Sequence, residues 1–239
     1  MQTRWLAGSP PQQGARGVFE TLRWDGRESA VLPLHVARWE RGCAALGLHA
    51  ADLRQILAQL PNVAGEELRV RATAYETGAV EVAWRPLLAD EWTPAPWRLR
   101  VLGRVAGQSE SMRACKTTAL WSALSWRSDA RALAADDALL RGPDGSWAET
   151  TTANLLCGLH DGRIVTPWPA AMPLPGTTLE WLQTKMHVEP IRLDETLLPQ
   201  IQWAVLTNAI VLLRPVVAID DVSLAAPPPH ILAFRNKAR

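Results

Sequence analysis

From Gly17 to Trp24 the chain alternates apolar and polar residues, the period of a half-buried strand. Asp25-Gly26 follows, a pair that turns hairpins, so Glu28–Leu32 is expected as the return strand. A helix is predicted from Pro33 to Leu46, closed by Gly47, with Leu34, Arg38 and Ala45 on one face. A short helix over 51–60 and strands over 68–75, 79–85 and 97–102 complete a first helix-on-sheet unit, while residues 1–16 read as irregular. Periodicity then lapses between Gly103 and Met112, where small polar residues collect, and the division between two units is expected there.

Beyond that gap, Ala119, Ala123, Trp126, Ala130 and Leu133 recur at helical spacing. Short strands are predicted at 138–141, 146–150, 153–159 and 163–166, separated by Asp144-Gly145 and Asp161-Gly162 turns. A helix opens at Pro175-Gly176-Thr177-Thr178 and runs to Lys185. A strand at 187–192, a short helix from Asp194, and strands at 204–206 and 211–219 end the pattern. The fold class is α+β: a small domain over 1–105, a linker at 106–112, and a larger strand-rich domain over 113–239.

Charge narrows the function. A formal net charge of +1 with interspersed signs leaves no basic face for nucleic acid. Three widely spaced cysteines make neither a disulfide framework nor a metal cluster. The N-terminus has no signal-peptide run and the longest apolar stretch is broken by Thr207, Asn208 and Arg214, so no membrane partner and a cytoplasmic location are expected.

One residue type is conspicuous by its scarcity. Of 25 basic residues only Lys116, Lys185 and Lys237 are lysines. Arginine stays protonated, whereas a lysine amine can lose its proton and act as nucleophile or base. Lys185 and Lys237 sit where solvent explains them; Lys116 lies amid apolar residues at the start of a helix. Arg38 falls on a face expected to be buried, where it either snorkels or meets a phosphate or carboxylate. Gly176, Thr177 and Thr178 at a helix start are either a plain cap or an anion site.

Taken in order, Lys116, Ala148-Glu149-Thr150-Thr151-Thr152-Ala153-Asn154, Thr166-Pro167 and Leu174-Pro175-Gly176-Thr177-Thr178 resemble the class IV aminotransferases, a pyridoxal-phosphate family that includes branched-chain and D-amino-acid aminotransferases and aminodeoxychorismate lyase. The resemblance implies the two-domain D-amino-acid aminotransferase-like fold and pyridoxal 5'-phosphate as cofactor. It makes Lys116 the residue that holds the cofactor aldehyde as a Schiff base, and Glu149 the partner of the ring nitrogen. Arg38, in a His-x-x-Arg pattern with His35, Gly176, Thr177, Thr178 and the Asn208-Ala209 turn would hold the phosphate. Asn154 would help to shape the site. It further implies a homodimer and an amino substrate.

Phe19-Glu20-Thr21-Leu22-Arg23 and Asn208-Ala209 followed by Arg214-Pro215-Val216 resemble the aminodeoxychorismate lyase branch, which eliminates pyruvate to give 4-aminobenzoate for folate biosynthesis. An amino-acid transaminase using the same lysine is the alternative. Where many relatives carry Arg-Gly this chain has Glu76-Thr77-Gly78, and Arg23, Arg69 and Arg71 are the candidates to meet a substrate carboxylate in its place. Alternation alone does not decide which of them points inward.

Overall fold

The structure is a computed structural model that describes residues 1–11, 14–49, 52–61, 66–105 and 109–237. Four strands make the first sheet: β1 (Gln2–Ala7), β2 (Gly17–Trp24), β3 (Leu68–Tyr75) and β4 (Val80–Pro86), in the order β1-β4-β3-β2. The N-terminal residues expected to be irregular therefore contain a strand, antiparallel to β4 from Gln2 opposite Trp84. The return strand expected over Glu28–Leu32 is absent. β2 pairs instead with the distant β3, Gly17 opposite Tyr75 and Trp24 opposite Leu68, and helix α1 (Leu32–Ala45) starts where that strand was placed. Pro33 explains the difference: it cannot donate to a ladder but fits the first turn of a helix.

Helices α1 and α2 (Leu53–Leu57) cover one face of this sheet. Val18 and Leu22 from β2 and Val70, Ala72 and Ala74 from β3 meet Leu32, Val36 and Trp39 of α1 and Leu53 and Ile56 of α2. The buried stripe of α1 is His35, Val36, Arg38, Trp39, Gly42 and Cys43; Ala45, expected on that face, is exposed.

The short helix α3 (Ala89–Trp92) leads into β5 (Trp97–Arg104). Counted by sequence with the first unit, β5 in fact hydrogen-bonds into the second sheet, parallel to both its neighbours there, so the division of the sheets precedes it. Of the linker expected at 106–112, residues 106–108 lie outside the described residues, and 110–113 form the single helical turn α4 (Glu110–Arg113).

After helix α5 (Trp121–Ala132), the second sheet takes up β6 (Asp137–Arg141), β7 (Trp147–Thr150), β8 (Asn154–Leu159), β9 (Ile164–Pro167), β10 (Glu189–Ile191), β11 (Ile201–Asn208) and β12 (Leu212–Ile219), with the two-residue β13 (Val222–Ser223) beside β12. Its order is β10-β9-β8-β11-β12-β5-β6-β7, and a further pairing of β7 with β8 closes part of it into a ring. The closing pair is Glu149 opposite Asn154. Leu99, Leu139, Trp147, Leu155, Leu206 and Val216 are buried together in its core, the interior a small closed sheet fills with side chains. Helix α6 (Thr177–Gln183) packs on the other side, Trp181 and Leu182 against Leu156 and Val205. No described helix is long and apolar enough to cross a membrane.

Candidate active site

Lys116 is attached to the first sheet by its own backbone. Its carbonyl accepts from Phe19 N–H at 2.8 Å and Thr118 N–H donates to Gly17 O at 2.9 Å, so residues 116–118 extend the free edge of β2 for one bridge. Gly17 is required at that edge, because a Cβ there would lie 2.4 Å from Ala74 O. The Lys116 side chain then passes over the Phe19 ring, with Nζ 4.8 Å from the centroid.

Burial pushes the Lys116 amine down, and the nearby Arg38 guanidinium pushes it further; Glu20 and Glu149 oppose this, Arg71 adds to it, and the net value is about 8. The amine is thus neutral in a usable fraction near neutrality, as a nucleophile and base needs.

Glu149 reaches this neighbourhood through a bulge. Leu140 lies opposite Glu149, but the next residue, Arg141, lies opposite Trp147, so one residue of β7 is extra. Cross-strand partners share a face, which turns Glu149 toward the side of Leu140 and Asn154 while Trp147 faces the interior core. Its carboxylate accepts from Leu174 N–H at 3.1 Å and is paired with the Arg113 guanidinium. Arg113, on α4 and three residues before Lys116, also donates to Met172 O at 3.1 Å. Nothing in the sequence singled it out: one arginine among 22 carries no signal until the chain has folded.

On the helix-covered side of β2, Glu20 is 1% exposed and carries a buried network. Arg38 donates Nε to one oxygen at 2.7 Å and Nη2 to the other at 2.8 Å, and His35 Nδ1 lies 2.7 Å from the second oxygen. Burial pushes the Glu20 carboxyl up, but Arg38 and then His35 outweigh it and hold the group at about 2. Arg38 Nη1 donates to Pro175 O at 2.8 Å, and His35 Nε2 lies 3.2 Å from Thr177 Oγ1. The buried partner of Arg38 is therefore Glu20, which the sequence had not suggested. A guanidinium has five N–H groups and three are used here among the described residues, so two remain for an anion.

Gly176 caps α6 and abuts Asn154: a Cβ at 176 would lie 1.8 Å from Asn154 Oδ1, whose amide donates to Leu174 O at 2.8 Å. Asn154 lies opposite Thr207 of β11, so Glu149, Asn154 and Thr207 run across three strands in register. The hydroxyls of Thr178 and Thr207 are buried without a hydrogen-bond partner among the described residues. Buried orphan hydroxyls are costly and mark places where a ligand's acceptors fit. The Asn208 side chain is spent within the protein, its oxygen accepting from Ile210 and Val211 N–H at 2.9 Å each and its amide donating to Thr152 O at 3.3 Å, which leaves the backbone of Asn208-Ala209 at the end of β11.

The other face of the first sheet resolves the three arginine candidates. Arg69 pairs with Glu91 at 2.7 Å. Arg23 donates to Ile210 O at 2.5 Å and to Glu91 O at 2.9 Å. Arg71 stacks on Phe19, its guanidinium carbon 3.8 Å from the ring centroid, and makes no ion pair among the described residues. Burial weakens its hold on its proton.

A flexible amine, a carboxylate at the seam of a closed sheet and a cup of buried hydroxyls and a guanidinium make a constellation for an aldehyde cofactor with an anionic tail. Residues 17–219 match the amino-transferase class IV family model. The chain belongs to the class IV aminotransferase family. It is a pyridoxal-phosphate-dependent enzyme, and the orphan hydroxyls and spare guanidinium N–H groups fit that cofactor's phosphate.

Solved structures agree in fold. A branched-chain aminotransferase from Thermoproteus uzoniensis, solved with norvaline, superposes at TM-score 0.79 with 21% identity, covering 93% of this chain and 84% of that one. A hypothetical aminotransferase from Mycobacterium tuberculosis in its PLP-bound form gives 0.79 at 20% identity over 97% and 93%. A candidate 4-amino-4-deoxychorismate lyase from Legionella pneumophila gives 0.77 at 21% identity over 94% and 92%. The comparison with curated proteins found no match. This class IV enzyme thus has the α+β architecture expected from its sequence, with two sheets.

Proposed function

We propose that this class IV enzyme is an aminodeoxychorismate lyase, eliminating pyruvate from 4-amino-4-deoxychorismate to leave 4-aminobenzoate. The observation that carries the reading is the Phe19–Arg71 pair beside Lys116: stacked on Phe19 of the lyase-like strand Phe19-Glu20-Thr21-Leu22-Arg23, Arg71 of β3 offers a guanidinium without an ion-pair partner among the described residues for a carboxylate of the substrate. Lys116, Glu149, Arg38, Gly176, Thr177, Thr178 and the Asn208-Ala209 backbone would hold pyridoxal phosphate. When bound, that cofactor supplies an electron sink conjugated to the amine-bearing carbon of the substrate. Lys116, neutral once released by the substrate amine, takes the proton from that carbon. Removing it lets the carbon–oxygen bond to the side chain break, so that pyruvate leaves as its enol and the six-membered ring becomes aromatic. Glu149 keeps the ring nitrogen protonated, and Arg113 and Leu174 N–H hold that carboxylate in place.

The test is to incubate the protein, loaded with pyridoxal phosphate, with 4-amino-4-deoxychorismate and with a panel of L- and D-amino acids lacking a keto acid. Stoichiometric 4-aminobenzoate and pyruvate are expected, with no donor converting the cofactor to its amine form. Rapid conversion by one amino acid, without 4-aminobenzoate, would instead identify a transaminase and name its donor.

Arg71→Met, which keeps the packing on Phe19, is expected to raise the KM for the carboxylate substrate by at least about tenfold with a smaller change in kcat, the loss of a charge-assisted hydrogen bond. An unchanged KM would remove Arg71 from substrate binding.

Trp121 and Leu124, one turn apart on α5 just after Lys116, are 78% and 57% exposed. An apolar pair so open suits a second copy of the chain and supports a homodimer. Light scattering of Trp121→Glu/Leu124→Glu is expected to give the mass of a monomer where the parent gives that of a dimer. Equal masses for the two proteins would reject this surface.

A further inference from the structure

We propose that Glu20 is the positioning residue of the phosphate cup: one buried carboxylate sets both the guanidinium of Arg38 and the ring of His35, and through them the start of α6. The inference rests on the reading that Arg38 and α6 hold the cofactor phosphate. Four observations carry it. Glu20, His35 and Arg38 are 1%, 0% and 5% exposed, so water cannot replace any of their contacts. Both carboxylate oxygens are engaged, at 2.7 Å to Arg38 Nε and at 2.8 Å to Arg38 Nη2, with His35 Nδ1 2.7 Å from the second oxygen. A carboxylate only accepts, so Nδ1 of His35 must carry its hydrogen and Nε2 is turned to Thr177 Oγ1 at 3.2 Å. Arg38, in turn, reaches Pro175 O at 2.8 Å. The loop before α6 and its first residue are thereby tied to β2, the strand whose edge holds Lys116, so one carboxylate keeps the phosphate end and the lysine end of the site at a fixed separation.

The chemistry of the amide makes this testable. In Glu20→Gln, an NH2 group placed at either oxygen position faces a guanidinium N–H that cannot be given up, so Arg38 has to swing away from its present orientation. Losing a negative charge beside the cup would by itself favour a phosphate; the loss of orientation in Arg38 is expected to outweigh that gain.

Apo-protein is titrated with pyridoxal phosphate and, separately, with pyridoxal, which has the aldehyde and ring but no phosphate. Glu20→Gln is expected to weaken pyridoxal phosphate at least tenfold while changing pyridoxal less than twofold. Thr177→Val, which removes only the hydroxyl that faces His35 and keeps the backbone N–H, is expected to weaken pyridoxal phosphate three- to tenfold with pyridoxal unchanged. It carries the test alone if Glu20→Gln does not fold. Equal losses for both ligands, or an unchanged or improved affinity for pyridoxal phosphate, would overturn the proposal. Failure of the parent protein to bind pyridoxal phosphate would instead overturn the reading on which it rests.

Discussion

Lys116→Ala is expected to lower turnover by at least about 10³-fold, the scale on which a nucleophile and general base act together. The same variant should lose the visible absorbance band of lysine-bound pyridoxal phosphate. The fold should survive, because the contacts that anchor residue 116 to β2 come from its backbone carbonyl and from Thr118 N–H. Lys116→Arg should be equally inactive: it keeps the charge and length but cannot shed a proton. A loss in alanine that arginine restored would mean that Lys116 acts only as a fixed charge.

The acidity of Lys116 adds a pH signature. An ordinary lysine titrates near 10.5, whereas burial and the Arg38 charge bring this one to about 8. The reactive neutral form therefore accumulates as pH rises through about 8. Capture of pyridoxal phosphate by apo-protein, followed by absorbance, should accelerate up to that pH and then level off. A rate still climbing tenfold per pH unit above 9 would mean that the amine is not held in this environment.

Glu149→Gln is expected to bind the cofactor within a few-fold of the parent and to turn over about 10² to 10³ times more slowly. The amide retains an oxygen for Leu174 N–H, while its NH2 group faces the Arg113 guanidinium, so the charge and the Arg113 contact are lost together and the tie to Leu174 persists. Without that charge the ring nitrogen is less readily protonated and accepts electrons less well, a deficit felt in the transition state more than in binding. Single-turnover kinetics at saturating substrate separates the two. Near-normal turnover with normal binding would remove Glu149 from the chemistry. Arg113 sharpens the point, since its guanidinium already engages this carboxylate and the ring nitrogen would have to share it.

The strands of the second sheet and helices α1 and α6 were legible in the sequence, because each buries enough apolar surface for its periodicity to show, and α5 by its spacing alone, with Ala130 its one buried residue. Lys116 stood out by composition, and Glu149, Asn154 and the Pro-Gly-Thr-Thr turn by order and spacing. Alternation also set Glu20 among Val18 and Leu22, but its partners, His35 and Arg38, belong to a helix whose docking angle no local pattern contains. The direction of Glu149 depends on one extra residue in β7, visible only once β6 and β8 are paired with it. The same holds for β5, whose local sequence suits either sheet and whose membership is decided by parallel neighbours at residues 137–141 and 216–219. Among Arg23, Arg69 and Arg71 the residue type is identical, and only the positions of Glu67 and Glu91, brought in from elsewhere in the chain, leave Arg71 as the one of the three without an ion pair among the described residues. By itself, then, the sequence determined most of the elements and the family chemistry and singled out Lys116, since propensity and spacing are local. The tertiary structure alone decided which charges are neutralised and which face the site, because electrostatic pairing depends on distances between residues far apart in the chain.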